Sequence, residues 1–340
     1  MKKKLITTLI STALITALFA GCGGNNSNTA PSRDEKKSSN TVVVYSPNQP
    51  EINNEIVNRF KAKTGIEVQL ISGGTGELLK RVQSEKANPL GDVFFGGGAE
   101  SLESFKDYFE PYTSSEDGTI DEKFKSPEHY WNGFTALPMV MIYNKKLVSE
   151  DKVPQSWDDL LKPEWKGKIS YADPNKSGSS YTQMITMVTA KDGWDFINKY
   201  AANLNGKVES SSSHVPKKVS DGEYPIGVTL EEVAFRYINN GANVGVAYPK
   251  EGTSAVPDGV ALIKGAKNAE NAKKFIDFVL SKEIQETVVK NFKRRSVRND
   301  VASPEGLKAI KDIPMVKYDF NSAAKNKSEN LNKWKDIFIK

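Results

Sequence analysis

From Thr41 onward, short β-branched runs alternate with longer stretches in which apolar residues return every three or four positions. Residues 41–45 (TVVVY) have the unbroken apolar character of a strand buried on both faces. Ile52, Ile56, Val57 and Phe60 then share one helical stripe, and Gly65 after Thr64 marks its stop. The pattern next predicts strands at 66–71 and 92–95, each followed by a glycine-rich turn and a helix, at 77–86 and 99–105. A β-α-β-α-β order of this kind implies a parallel sheet with helices on its faces. A second set follows in the later half. It has strands at 167–172, 208–210, 226–229, 243–248 and from Asp258 to Ile263, with helices after Tyr181, at 230–240 and at 269–280. No repeat of 20–50 residues interrupts the series, which excludes a solenoid.

The first 40 residues have a different texture. Lys2, Lys3 and Lys4 precede an apolar run from Leu5 to Ala20, and Leu18-Phe19-Ala20-Gly21 leads into Cys22, the only cysteine of the 340 residues. A basic start, an apolar middle and small residues at a cleavage point are the layout of an export signal. At 16 residues the run is shorter than the roughly 20 a spanning helix needs. Small residues before a cysteine resemble a bacterial lipobox, although Phe19 stands where leucine is commoner. The expectation is a signal peptide at 1–21, with Cys22 lipidated as the new N-terminus and holding the protein at a membrane. Residues 22–40 are polar and aperiodic and read as a flexible tether; as a coil they would span roughly 23 Å.

Charge changes the picture once the signal is removed. The chain carries 47 basic and 42 acidic residues, and three of the lysines belong to the signal, leaving 44 against 42. A nearly balanced body has no basic excess with which to neutralise nucleic-acid phosphates. A lone cysteine excludes an internal disulfide and a thiolate metal cluster, and two histidines (His129 and His214) exclude a multi-histidine site. No cofactor is expected. Among enzymes, the Gly-x-Ser-x-Gly nucleophile elbow and the Gly-Lys-Ser/Thr ending of a phosphate loop are both missing. A phosphatase built on His214 is the remaining enzymatic alternative.

The candidate chemistry lies in the loops that leave the strands. In open α/β sheets ligands bind beyond the carboxyl ends of the strands. There the chain places Ser46, then Ser72, Gly73, Gly74 and Thr75, then Gly97, then Lys176, Ser177, Gly178 and Ser179, then Ser213 and His214, and then Thr229. Glycine admits close backbone approach, and the following helix offers unpaired N–H groups and a positive dipole end. Any one such loop is ordinary capping and turn chemistry; half a dozen on one sheet edge point to an anion site. Tyr45 and Tyr248 are candidates to stack on a ligand, whereas Trp131 reads as core packing.

Several segments together resemble an extracellular solute-binding protein of an ABC importer, in the branch that carries ferric ion, sugar phosphates, phosphonates and thiamine. They are residues 72–79 (SGGTGELL), 92–100 (DVFFGGGAE), 154–161 (PQSWDDLL), 172–174 (ADP) and 249–259 (PKEGTSAVPDG). The resemblance implies an α/β, two-lobed periplasmic-binding-protein fold of type II, each lobe a mostly parallel sheet flanked by helices, with the ligand cleft between them. Crossover strands are expected near 137–143 and 248–258, dividing the chain into 41–139 with 258–310 and 140–257 with 311–340. Ferric-binding relatives usually carry two adjacent tyrosines after the strand that here ends at Thr229; this chain has Glu231-Glu232-Val233 and no adjacent tyrosines anywhere. The sugar-phosphate branch is closer, through the Gly-Gly-Thr-Gly loop, Ser213-His214 and residues 227–232 (GVTLEE). It implies serines and backbone N–H groups around a phosphate, with His214 and one of Glu231 or Glu232 on hydroxyls or phosphate. Phosphonate, free phosphate and thiamine phosphate share that chemistry. The implied partners are a small anionic solute such as a hexose phosphate and an ABC permease, or a sensor histidine kinase if the protein reports its ligand rather than delivering it. The protein is expected to be a monomer.

Overall fold

The structure, a computed structural model, describes residues 40–191 and 193–339. The export signal, Cys22 and the tether therefore lie outside the described residues. None of the described helices is long and apolar enough to cross a membrane.

The first lobe forms as the periodicity predicts. Strand β1 (Thr41–Ser46) lies between β2 (Glu67–Ser72) and β3 (Val93–Gly98) and is parallel to both. Between them run α1 (Pro50–Thr64) and α2 (Thr75–Ser84), with the short α3 (Ala99–Glu103) after β3. Helix α1 opens with proline in its first turn and ends at Gly65, whose φ of 71° only glycine adopts freely. Successive residues of β3 point to opposite faces. Phe95 packs with Phe60, Phe134 and Phe275 on one side, while Phe94 joins Tyr45, Leu78 and Phe109 on the other. Both faces are covered, which is why these strands are apolar without alternation.

The sheet continues through β9 (Ala255–Ile263), which is antiparallel to β3, and the 13-residue β5 (Asn132–Asn144), which is antiparallel to β9. Two short strands, β4 (Phe109–Glu110) and β10 (Arg295–Ser296), add to β9 and β5. Strand β5 belongs to both lobes. Up to Pro138 it pairs with β9, and from Met139 it pairs with β7 (Ile226–Leu230) and β8 (Val244–Ala247). Strand β6 (Ile169–Ser170) completes the second lobe, parallel to β7. The sheets are thus mixed: the strands joined by helical crossovers are parallel, and those that return between lobes run the other way.

Helices α4 (Gly178–Ala190) and α5 (Asp195–Leu204) cover one face of the second lobe; α6 (His214–Ser220) and α7 (Glu231–Asn239) cover the other. Helices α8 (Ala269–Leu280) and α9 (Lys282–Phe292) return to the first lobe. The C-terminal segment touches both. Helix α10 (Phe320–Lys325) packs on α3, with Phe320 5.8 Å from Trp131, and α11 (Lys327–Ile339) packs on α5, with Trp334 in the second core.

Three local expectations change. The glycines at 96–98 do not form a loop: they extend β3 with an irregularity against β9, and Gly96 and Gly97 take φ of 114° and 79°. Residues 208–210 make only a single bridge, Ala172 to Glu209. Helix α4 starts three residues before Tyr181, because the Ser177 hydroxyl caps it by accepting from the Ser180 N–H at 3.3 Å.

Candidate functional site

The main cavity, about 490 Å³, opens between the lobes. The first lobe contributes Asn48 and Gln49 before α1, Gly73 to Thr75 before and at the start of α2, and Gly97. From the second come Lys176 to Ser179 at α4, Ser211 to Ser213 at α6, and Thr229 and Leu230 before α7. Its base is built from Leu137 and Met139 of β5, Val256 and Asp258 of β9, Glu232 of α7, and Arg294.

Four helices of nine or more residues therefore begin at this cavity: α1, α2, α4 and α7. The first-turn N–H groups of each lack intrahelical partners, and each start carries a partial positive charge. Within the first lobe the glycine-rich end of β3 packs tightly on the start of α2. A Cβ on Gly97, whose φ is positive, would stand 2.9 Å from Thr75 Cγ2, so both its conformation and its neighbours require glycine.

The base holds charge in a closed network. Arg294 is 4% exposed; its Nη1 donates to Asp258 Oδ2 at 2.7 Å and to Thr135 Oγ1 at 3.2 Å, and its Nη2 donates to Glu232 Oε1 at 3.4 Å. Asp258 Oδ1 accepts from the Thr135 N–H at 2.9 Å and its hydroxyl at 2.6 Å. Burial pushes the Glu232 carboxyl above its usual range, and Arg294 and Arg236 only partly oppose this.

A family model for bacterial extracellular solute-binding proteins matches residues 88–326, most of the folded chain. The protein belongs to that family. The solute-binding protein is also similar to the periplasmic binding protein AfuA from Actinobacillus pleuropneumoniae, whose structure holds exogenous fructose-6-phosphate. That likeness has a TM-score of 0.82 and 26% identity over 88% of this chain and 98% of the other. A two-component system protein that mediates signal transduction gives 0.77 and 28% over 86% and 99%. Iron uptake protein A1 of Synechocystis sp. (strain ATCC 27184 / PCC 6803 / Kazusa) is 29% identical over 84% of this chain and 83% of its own. The mixed α/β architecture is that of periplasmic binding proteins, two-lobed and of type II. The family is one of ABC-transporter type whose members bind solutes outside the cytoplasm rather than transform them.

Of the residues singled out in the sequence, Ser72, Gly73, Gly74, Thr75, Gly97, Lys176, Ser177, Gly178, Ser179, Ser213, Thr229 and Glu232 line the cavity of the solute-binding protein. Three do not. Ser46 is fully buried within hydrogen-bond distance of Asn53 Oδ1 and the Phe95 carbonyl, and its hydroxyl oxygen accepts from the Asn48 N–H at 3.2 Å, so it shapes the loop instead. His214 begins α6 with its Nδ1 4.0 Å from Glu209 Oε2 and a half-exposed ring outside the lining. Glu231 is turned about 100° around α7 from Glu232; it binds Arg295 at 2.7 and 3.0 Å and accepts from Tyr248 at 2.5 Å. The two tyrosines proposed as stacking platforms are structural as well. Tyr248 holds Glu231, and Tyr45 is fully buried and donates to Glu85 at 2.7 Å. Trp131 is core, as expected. The residues that sequence reasoning missed are Arg294, Asp258, Asn48, Gln49 and the apolar base. Arg294 sits in the run Lys293-Arg294-Arg295, which in sequence looks like any solvated basic cluster.

Proposed function

We propose that this solute-binding protein captures a small phosphorylated solute, such as a hexose phosphate, by closing its lobes on it, and delivers it to an ABC permease. The lobes in this reading are 41–139 with 258–310 and 140–257 with 311–340, and Cys22 carries the lipid that holds them at the outer face of the cytoplasmic membrane. The observation that carries it is the meeting of four helix N-termini and Lys176 at one cavity, an arrangement suited to phosphate oxygens. Iron fits less well. No tyrosine is among the described lining residues, and the carboxylates there, Glu232 and Asp258, are both engaged by Arg294. Among the described residues no group of three or more histidine, cysteine or acidic side chains is placed to hold a metal.

Thermal melting tests the reading. A ligand that binds only the folded form stabilises it by about 2.7 kcal/mol at 100 times its dissociation constant. Glucose 6-phosphate or fructose 6-phosphate should raise the melting temperature while ferric citrate leaves it in place; the reverse pattern overturns the proposal. The likeness to a two-component system protein favours a second reading, in which the loaded protein signals to a histidine kinase. Crosslinking in native membranes separates the two by the partner recovered, permease or kinase.

A further inference from the structure

The start of α4 is tied to the first lobe by a carboxylate that lies just behind the cleft wall. Thr182, one turn into α4, lines the cavity, and its hydroxyl donates to Glu100 Oε1 on α3 of the first lobe. Glu100 itself is fully buried and is not among the lining residues. Gly98 makes room for it. A Cβ there would stand 2.8 Å from both carboxylate oxygens, although its backbone, with φ of −64°, suits any residue. The balancing charge is Lys327 at the start of α11, whose ammonium donates to Ser101 Oγ at 2.6 Å. One turn further along α4, the Thr186 hydroxyl lies 2.6 Å from that of Ser254, the residue before β9. Gly178, Thr182 and Thr186 are spaced by four and share one helix face, so α4 meets the first lobe and the crossover along a single line.

This contact can open without stranding any of its groups. A threonine hydroxyl in a helix ordinarily bonds the carbonyl four residues back, and the Gly178 carbonyl oxygen lies 3.1 Å from the Thr182 hydroxyl. Thr182 therefore exchanges one acceptor for another when the lobes part. Lys327 is already partly exposed, and Glu100 gains hydration on opening. Burial pushes the Glu100 carboxyl up and the Lys327 ammonium opposes this; an ionised acceptor makes a stronger bond than a carbonyl does. We infer that Glu100 is a positioning residue for the closed cleft: through Thr182 it latches the start of α4 onto the first lobe and retains the solute without touching it. The inference rests on the reading that the lobes close on a solute and is independent of which solute that is. Such a latch biases opening and closing by the bond it makes in one form alone. Its loss lowers apparent affinity by the same factor as the closed population.

Disulfide trapping reads the closed population with no ligand present. A Cβ on Gly178 would stand 3.4 Å from Thr75 Cβ, close to the spacing of about 3.5–4.5 Å across a disulfide. The test protein is the full chain with Thr75→Cys and Gly178→Cys, and with Cys22→Ser so that no third thiol competes; diamide is the oxidant. With Glu100 and Thr182 in place the pair should crosslink readily. Glu100→Leu and Thr182→Val should each slow crosslinking by about tenfold. Because both break one bond, the double substitution should be little slower than the slower single one. Thr182→Ser restores the hydroxyl and should stay within about twofold of the intact latch, a rescue that loosened packing would not give. Unchanged rates in Glu100→Leu or Thr182→Val, additive slowing, or a Thr182→Ser rate as low as that of Thr182→Val overturns the inference. If Glu100→Leu does not fold, Thr182→Val against Thr182→Ser decides it alone. Failure to crosslink with the latch intact overturns lobe closure itself, and the latch with it.

Discussion

Gly178 and Thr75 belong to opposite lobes, and a Cβ built on Gly178 would stand 3.2 Å from the Thr75 hydroxyl oxygen. The starts of α4 and α2 thus approach each other as closely as their backbones allow only because one of them carries no side chain. Gly178→Val should leave unfolding by denaturant nearly unchanged, since the residue is the first of its helix and its neighbour across the gap belongs to a separate element. Its branched side chain should hold the lobes apart and weaken ligand binding at least tenfold, about 1.4 kcal/mol. Equal affinity in calorimetry would mean that the lobes need not meet here.

Thr75→Asp tests the anion site directly. Aspartate in the first turn suits the dipole of α2 as well as or better than threonine does, so stability should hold or rise by a few tenths of a kcal/mol. Hexose phosphate binding should collapse, because the built-in carboxylate occupies the same donors and repels the phosphate. Lys282→Asp, on exposed surface in α9, should leave affinity intact and serves as the control for net charge. Unchanged affinity in Thr75→Asp would make the glycine-rich loop purely structural.

Between the lobes, Glu100 of α3 is fully buried and accepts a hydrogen bond from Thr182 of α4, and its counter-charge is Lys327. Burial brings the Lys327 ammonium down to about 8, with Glu100 opposing, and raises the Glu100 carboxyl. Removing one partner of a buried pair costs about 3–5 kcal/mol, whereas removing both is often neutral. Lys327 is only partly buried and donates to Ser101 at 2.6 Å, so Lys327→Met should destabilise the protein by less, about 1–3 kcal/mol, and adding Glu100→Gln should recover part of it. Additive losses in the double-mutant cycle would show that the two charges act independently.

Asp159 gives a pH signature. Burial raises its carboxyl, but Lys162 at 2.8 Å, the Gln155 N–H at 2.9 Å and the Ser156 hydroxyl bring it down to about 2. A folded-state value below the unfolded one means that its stabilisation is complete above about pH 4 and is lost as pH falls toward 2. Asp159→Asn should thus be less stable at pH 7 and should lose less on acidification to pH 2.5. An identical acid limb in both proteins would place the acid sensitivity elsewhere.

Strands buried on both faces, such as β1 and β3, could be read from their apolar runs, and helices with one apolar stripe and a clear stop, such as α1 and α8, from their period. Loop composition found most of the cleft because serine, threonine and glycine at strand ends do there what they do in isolation: they cap, turn and expose N–H groups. Residues whose role depends on what lies opposite were hidden. Glu231 and Glu232 look alike in sequence, and only Arg295 on one side and Arg294 on the other separate a structural carboxylate from a cleft-lining one. His214 invited a binding role as one of two histidines, yet its neighbour is Glu209. The length of β5 was equally invisible, because its two halves serve different sheets and contain Pro138, a residue that usually argues against a central strand.

Pro138 stands where β5 exchanges β9 for β7 as its pairing partner. The neighbouring Met139 is tied to Thr253, whose Oγ1 donates to the Met139 carbonyl at 2.8 Å. One continuous strand is therefore a structural member of both sheets, and neither lobe can melt without stripping hydrogen bonds from the other. Heat should unfold the pair in a single calorimetric transition, with equal calorimetric and van't Hoff enthalpies, although a chain with two lobes would ordinarily be expected to show two.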